Sequence, residues 1–195
     1  MCGIVGYVGN KEATPVLINT LKKLEYRGYD SAGIAVLSDE NIVVQKAKGA
    51  LKFLEEQVSK QVIRGSIGIG HTRWATHGEP SDINAHPHTN VSGSIAVVHN
   101  GIIENYAKLK EKLQSEGIVF RSQTDTEVIA HLVNYYYEET GDIFKAVQKT
   151  LTKLEGSYAL GVLCKDYPDR IVAARKDSPL IVGLGKDENF IASDV

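Results

Sequence analysis

Apolar residues recur along this chain in two different periods, and the switches between them mark out the elements. The segment 2–9 is an apolar, glycine-containing run that predicts a strand, stopped by Gly9-Asn10. Thr14-Pro15 has the form of an N-cap followed by proline at the first helical position, and Val16, Leu17, Leu21 and Leu24 then recur at helical spacing to about Glu25. A polar loop at 26–31 leads into strands at 33–37 and 42–47 and an amphipathic helix at 50–60, with Leu51, Leu54 and Val58 on one face. Buried strands are predicted at 66–70 and 94–98. The irregular stretch 72–93 between them is long enough to suggest a binding loop or lid.

The second half reads as helices and then strands. A helix is predicted at 104–116, with Glu104 placed to support Lys108. Thr124-x-x-Glu127 has the form of a capping box opening a helix at 125–138. Asp142 caps another, with Ile143, Ala146, Val147, Leu151 and Leu154 on its buried face. Strands follow at 157–164, 170–174, 180–184 and 189–192. Strands in runs, then helices, then strands again predict an α+β layered architecture rather than βαβ alternation. No repeat or linker interrupts the pattern, so one domain is expected.

Composition narrows the class only a little. With 195 residues, 43% of them hydrophobic, the chain can bury a sizeable core without staples. A net charge of −2 without basic runs argues against nucleic acid or a membrane surface as partner. There is no membrane-length apolar stretch, secretory signal or myristoylation pattern, so a cytoplasmic protein is expected. Cys164 lies in an apolar strand and reads as a small buried hydrophobe. Cys2 stands directly behind the initiator methionine. Removing Met1 would give one residue both a thiol and an α-amine titrating at about 7.7–8.0, hence nucleophile and general base together. On position alone the blander reading, the second residue of a buried first strand, is the favoured one.

The remaining candidates are also double-edged. Asn100-Gly101 between apolar runs is either a type I′ hairpin turn or an oxyanion hole made from a side-chain amide and a backbone N–H. The helical pattern that follows leaves little room for a return strand. Arg73 could grip a carboxylate through paired hydrogen bonds, and Trp74 could cover a site; otherwise they are a surface arginine and a packing tryptophan. The histidines at 71, 77, 86, 88 and 99 invite a zinc reading, yet no cysteine or carboxylate stands at the short spacings of zinc motifs. A histidine could instead orient Cys2. Gly65, Gly68 and Gly70 match no phosphate-binding fingerprint.

Taken together, CGIVGYVG at 2–9, LEYRGYDSAGIAV at 24–36, GHTRWATHGEP at 70–80, NAHPH at 84–88, VVHNGIIENY at 97–106 and TDTEV at 124–128 carry a resemblance over the whole chain. The chain resembles class II glutamine amidotransferases, and among them the glutaminase domains of the glutamine–fructose-6-phosphate aminotransferase family. The resemblance implies an N-terminal nucleophile hydrolase fold, a four-layer αββα sandwich of two stacked antiparallel sheets. It implies Cys2 as nucleophile with its own α-amine as base, and Asn100 and Gly101 as the oxyanion hole. Arg27 and Gly28 would position that amine. Arg73, helped by Thr76 and His77, would bind the α-carboxylate of L-glutamine, Asp125 its α-ammonium, and Trp74 would close over it. For Asp125 the residues alone suggest only stabilisation of a helix N-terminus.

No cofactor or metal is implied. The expected partner is a C-terminal isomerase domain that uses fructose 6-phosphate and lies outside these 195 residues, with a homodimer expected for the complete enzyme. A chain still carrying Met1 is expected to be poorly active. Two other readings stay open: a non-catalytic glutamine-binding or regulatory module, and an amidotransferase domain serving another acceptor.

Overall fold

The computed structural model describes residues 2–74 and 78–195. Ten strands and five α-helices follow in the order β1 (Gly3–Val8), α1 (Ala13–Leu24), β2 (Ser31–Ser38), β3 (Asn41–Lys48), α2 (Leu51–Lys60), β4 (Ile67–Arg73), β5 (His88–Thr89), β6 (Ile95–Ile103), α3 (Tyr106–Ser115), α4 (Thr126–Thr140), α5 (Ile143–Leu151), β7 (Gly156–Cys164), β8 (Val172–Lys176), β9 (Ile181–Leu184) and β10 (Asn189–Ala192). One sheet has the order β3-β2-β4-β1-β10-β9 and the other β5-β6-β7-β8. The strand pairs within both are antiparallel.

The period of two along each strand explains the layers. Ile4, Ala35, Ile67, Ile69, Ala96, Val98, Ala159 and Leu163 pack together between the sheets. Their neighbours Val5, Tyr7, Ile34 and Val36 face the other way, onto Leu17 and Leu21 of α1 and Leu51 and Leu54 of α2. On the second sheet Ile95, Val97, Leu160 and Val162 meet Ile129 and Val133 of α4 and Ala146 and Val147 of α5. The result is the αββα sandwich. Central strands are covered on both faces, which is why they read as continuous apolar runs rather than alternating ones. Replacing Ile69 by alanine in the layer between the sheets is expected to cost about 2–5 kcal/mol of unfolding free energy in chemical denaturation, the usual loss for a buried aliphatic truncation. A loss under about 1 kcal/mol would mean that this layer can collapse around the gap.

Three local expectations are corrected. Thr14 does not cap α1: the helix begins at Ala13, and the Thr14 hydroxyl donates to Ile63 O at 3.0 Å. Pro15 still sits in the first turn, where its missing N–H costs nothing. The capping box at Thr124 does not form either. Thr124 Oγ1 pairs with His88 Nε2 and Ser122 Oγ at 3.0 Å each, and the Glu127 carboxylate accepts the Arg121 and Ser122 N–H groups at 2.8 and 2.6 Å. Burial alone would raise the Glu127 pKa, but hydrogen bonds from His131, Ser122 and Arg121 outweigh it and hold it at about 2. Finally, β6 runs to Ile103 without turning, and α3 starts only at Tyr106. The Asn100-Gly101 hairpin is therefore excluded.

Candidate active site

Strand order brings the candidate residues to one end of the sandwich. β1 lies between β4 and β10, with Gly3 opposite Thr72, so Cys2 comes beside Arg73 and Trp74 where β4 ends. The Trp74 N–H donates to Cys2 Sγ at 3.2 Å, and Sγ lies 3.4 Å from Trp74 O. Cys2 is half-buried, and burial pushes its thiol pKa up although the Trp74 N–H opposes the shift. A thiol in that condition needs a base at the moment of attack. Arg27 Nε donates to Cys2 O at 3.3 Å, while its Nη1 pairs with Asp194 Oδ2 at 2.6 Å; Tyr26 also donates to that carboxylate. Gly28 does not line the cavity. It lies against the end of β4, where a Cβ would stand 2.6 Å from the carbonyl carbon of Arg73.

The opposing sheet supplies the other wall. Asn100 Nδ2 donates to Cys2 O at 2.9 Å, and His71 Nε2 lies 2.9 Å from Asn100 Oδ1. Gly101 is exposed within β6 at φ +116°, and a Cβ there would fall 2.1 Å from Ser157 O on β7. Only glycine fits this position. Cys2, Arg73, Trp74, Asn100, Gly101 and Asp125 line one cavity of about 340 Å³.

The lining of that cavity includes two buried ionisable side chains. Arg73 is 3% exposed at the end of β4; its Nη2 donates to Gly78 O at 2.9 Å, and Asp30 Oδ1 lies 4.0 Å from Nη1. Asp125, 4% exposed at the start of α4, accepts the Ile103 N–H at 2.8 Å through Oδ2. A cation and a carboxylate in one small cavity complement a zwitterionic amino acid. Trp74 is 48% exposed and packs edge-on against Tyr29, with ring centroids 5.3 Å apart. Thr76 and His77, also expected here, lie outside the described residues.

His71, His86, His88 and His99 are buried together between β4, β5 and β6, and burial pushes the pKa values of His71, His86 and His88 far down. Among the described residues, no group of three or more His, Cys, Asp or Glu is arranged to hold a metal ion. Cys2 Sγ is hydrogen-bonded to the main chain of Trp74, and among the described residues it has no histidine partner. Sequence reasoning missed Asp194, which has no local signal because it meets Arg27 across 167 positions, and Ser157, Ser178 and Pro179 of the lining. No helix among the described residues is long and apolar enough to cross a membrane.

Known proteins resemble this chain in sequence and in fold. The glutamine amidotransferase domain family matches residues 71–195. Over its whole length the chain is 66% identical to the glutamine–fructose-6-phosphate aminotransferase (isomerizing) of Caldanaerobacter subterraneus and 62% identical to that of Clostridium tetani. It covers 32% of each, so the chain spans about a third of the length of the curated relatives it matches. The solved structure of glutamine phosphoribosylpyrophosphate amidotransferase from B. subtilis, in complex with ADP and GMP, superimposes with a TM-score of 0.83 at 28% identity. That match covers 98% of this chain and 42% of the other.

Proposed function

Since the chain belongs to the glutamine amidotransferase domain family, we propose that it releases ammonia from L-glutamine through a thioester on Cys2. The observation that carries this reading is the convergence of Cys2, Arg73, Asn100, Gly101 and Asp125 on one cavity of about 340 Å³. Arg73 takes the α-carboxylate of glutamine, assisted by Thr76 and His77, and Asp125 takes the α-ammonium. With Met1 removed, the α-amine of Cys2 accepts the thiol proton. Sulfur bonds to the side-chain amide carbon, and the tetrahedral oxyanion is held by the Asn100 amide and the Gly101 N–H. The carbon–nitrogen bond then breaks, the amine returns the proton to the departing nitrogen, and ammonia leaves. Water hydrolyses the thioester to glutamate and restores the thiol. Arg27 and Gly28 hold the amine's end of the chain in place, and Trp74 covers the bound substrate.

The 195 residues form one glutaminase domain on this reading. In the complete protein, a C-terminal isomerase portion receives the ammonia and aminates fructose 6-phosphate, in a cytoplasmic homodimer. High identity to the aminotransferases of Caldanaerobacter subterraneus and Clostridium tetani supports that acceptor over another.

The test is direct. Protein freed of Met1 is expected to release glutamate from glutamine, and a glutamine-like electrophile is expected to label the Cys2 peptide. No glutamate and no label would favour a non-catalytic glutamine-binding module. Arg73→Lys is expected to raise KM for glutamine roughly 10–100-fold with a smaller change in kcat, because a point charge replaces a planar fork. An unchanged KM would remove Arg73 from the carboxylate site.

A further inference from the structure

His71 and Asn100 end two rows of side chains that face each other between the sheets. On β4, His71 continues the inward series of Ile67 and Ile69; on β6, Asn100 continues that of Ala96 and Val98. His71 is fully buried, and its Nε2 stands 3.1 Å from His99 O and 2.9 Å from Asn100 Oδ1. A main-chain carbonyl can only accept, so Nε2 carries the ring proton. The Asn100 atom facing that N–H must then also be an acceptor, its oxygen. This forces Nδ2 to the other side, where it donates to Cys2 O at 2.9 Å. Nδ2 carries two N–H bonds, and only one is spent there.

The imidazole is held in place for this task. The His86 ring stacks on it at 4.1 Å between centroids and 13° between planes. Its second nitrogen, Nδ1, is buried with no hydrogen-bond partner among the described residues, so the protein tolerates an unmet acceptor there. Burial also holds the His71 pKa down at about 3, which keeps the ring neutral across the working pH range, while the His99 carbonyl selects the tautomer.

We propose that His71 is a positioning residue, which sets the flip of the Asn100 carboxamide so that its N–H, not its oxygen, faces the oxyanion formed on Cys2. The proposal rests on the amidotransferase reading above. Without the imidazole N–H the carboxamide can rotate and present a lone pair to a developing negative charge.

The experiment compares His71→Leu, which fills the space without a donor, with His71→Gln, which restores an N–H. In protein freed of Met1, His71→Leu is expected to lower kcat for glutamine hydrolysis roughly 10–100-fold, part of the loss seen when an oxyanion donor is removed. KM should stay within about twofold, and alkylation of Cys2 by iodoacetamide, which forms no oxyanion, should keep its wild-type rate. His71→Gln should recover most of kcat. In an Asn100→Ala background, His71→Leu should cost nothing further. Wild-type kcat in His71→Leu, or an equal loss in the Asn100→Ala background, would overturn the proposal. If His71→Leu does not fold, the ¹⁵N spectrum of the wild-type histidines decides: Nε2 protonated is expected, and Nδ1 protonated overturns it. A wild-type protein that releases no glutamate fails the amidotransferase reading itself, and the positioning role falls with it.

Discussion

Cys2→Ala, prepared without Met1, is expected to lose glutamate release by roughly four orders of magnitude or more, because among the described residues no other thiol lines the cavity. Glutamine should still bind, since Arg73 and Asp125 remain in the cavity lining. Isothermal titration should therefore show an affinity close to that of the intact site, while turnover vanishes. Residual turnover above about one per cent of wild type would mean that a water or another side chain attacks the amide, and the covalent route would have to be abandoned. The same chemistry predicts the pH profile. Activity should rise with pH as the α-amine loses its proton near pH 7.7–8.0, because only the neutral amine can accept the thiol's proton. Protein that keeps Met1 should lack this limb and most of its activity. Its amine is one residue away, and the nitrogen of Cys2 is then an amide.

Gly101→Ala is the second large effect. At φ +116° a Cβ is disfavoured by the backbone itself, and it would also stand 2.1 Å from Ser157 O and 2.8 Å from Ser157 C. Both atoms belong to the main chain of β7, so the clash cannot be relieved by a rotamer change. A loss of roughly 2–5 kcal/mol of stability is expected, from backbone strain and overpacking together. Turnover should fall at least about a hundredfold, because β6 must shift away from β7 at the N–H proposed to hold the oxyanion. Gly117→Ala is the control. That glycine also has a positive φ, +90°, but has nothing within 4 Å, so it should cost only about 1 kcal/mol and leave turnover intact. Native stability and turnover in Gly101→Ala would show that β6 can relax without consequence for the chemistry.

Legibility in the sequence followed how local each determinant is. The strand at 157–164 was readable because burial on both faces leaves a largely apolar run, and Asp142 was readable because a cap acts within one turn. Asn100-Gly101 was ambiguous locally, because a hairpin and a strained strand residue call for the same dipeptide. The backbone of β7 decides between them, and no residue near position 101 encodes that. The capping box at Thr124 failed for a related reason: His88, far away in sequence, offers the threonine hydroxyl a buried partner. Among the site residues, Cys2 and Arg73 carry chemistry in their own right. Asp125 looks like any acid at a helix start, and only the resemblance to known amidotransferases singled it out. His71 stood in plain view within HTRW, but its use depends on a tautomer fixed by a carbonyl on another sheet.

The contact of Arg27 with both Cys2 and Asp194 joins the two ends of this chain at a single guanidinium. Arg27 is buried and forked, so it transmits displacement rather than absorbing it. The carbonyl of Cys2 and the carboxylate of Asp194, which follows β10, are thus ends of one tie-rod. Coupling of this kind is reciprocal. A displacement of Asp194 is therefore expected to be felt at the Cys2 carbonyl, and a displacement of Cys2 at Asp194.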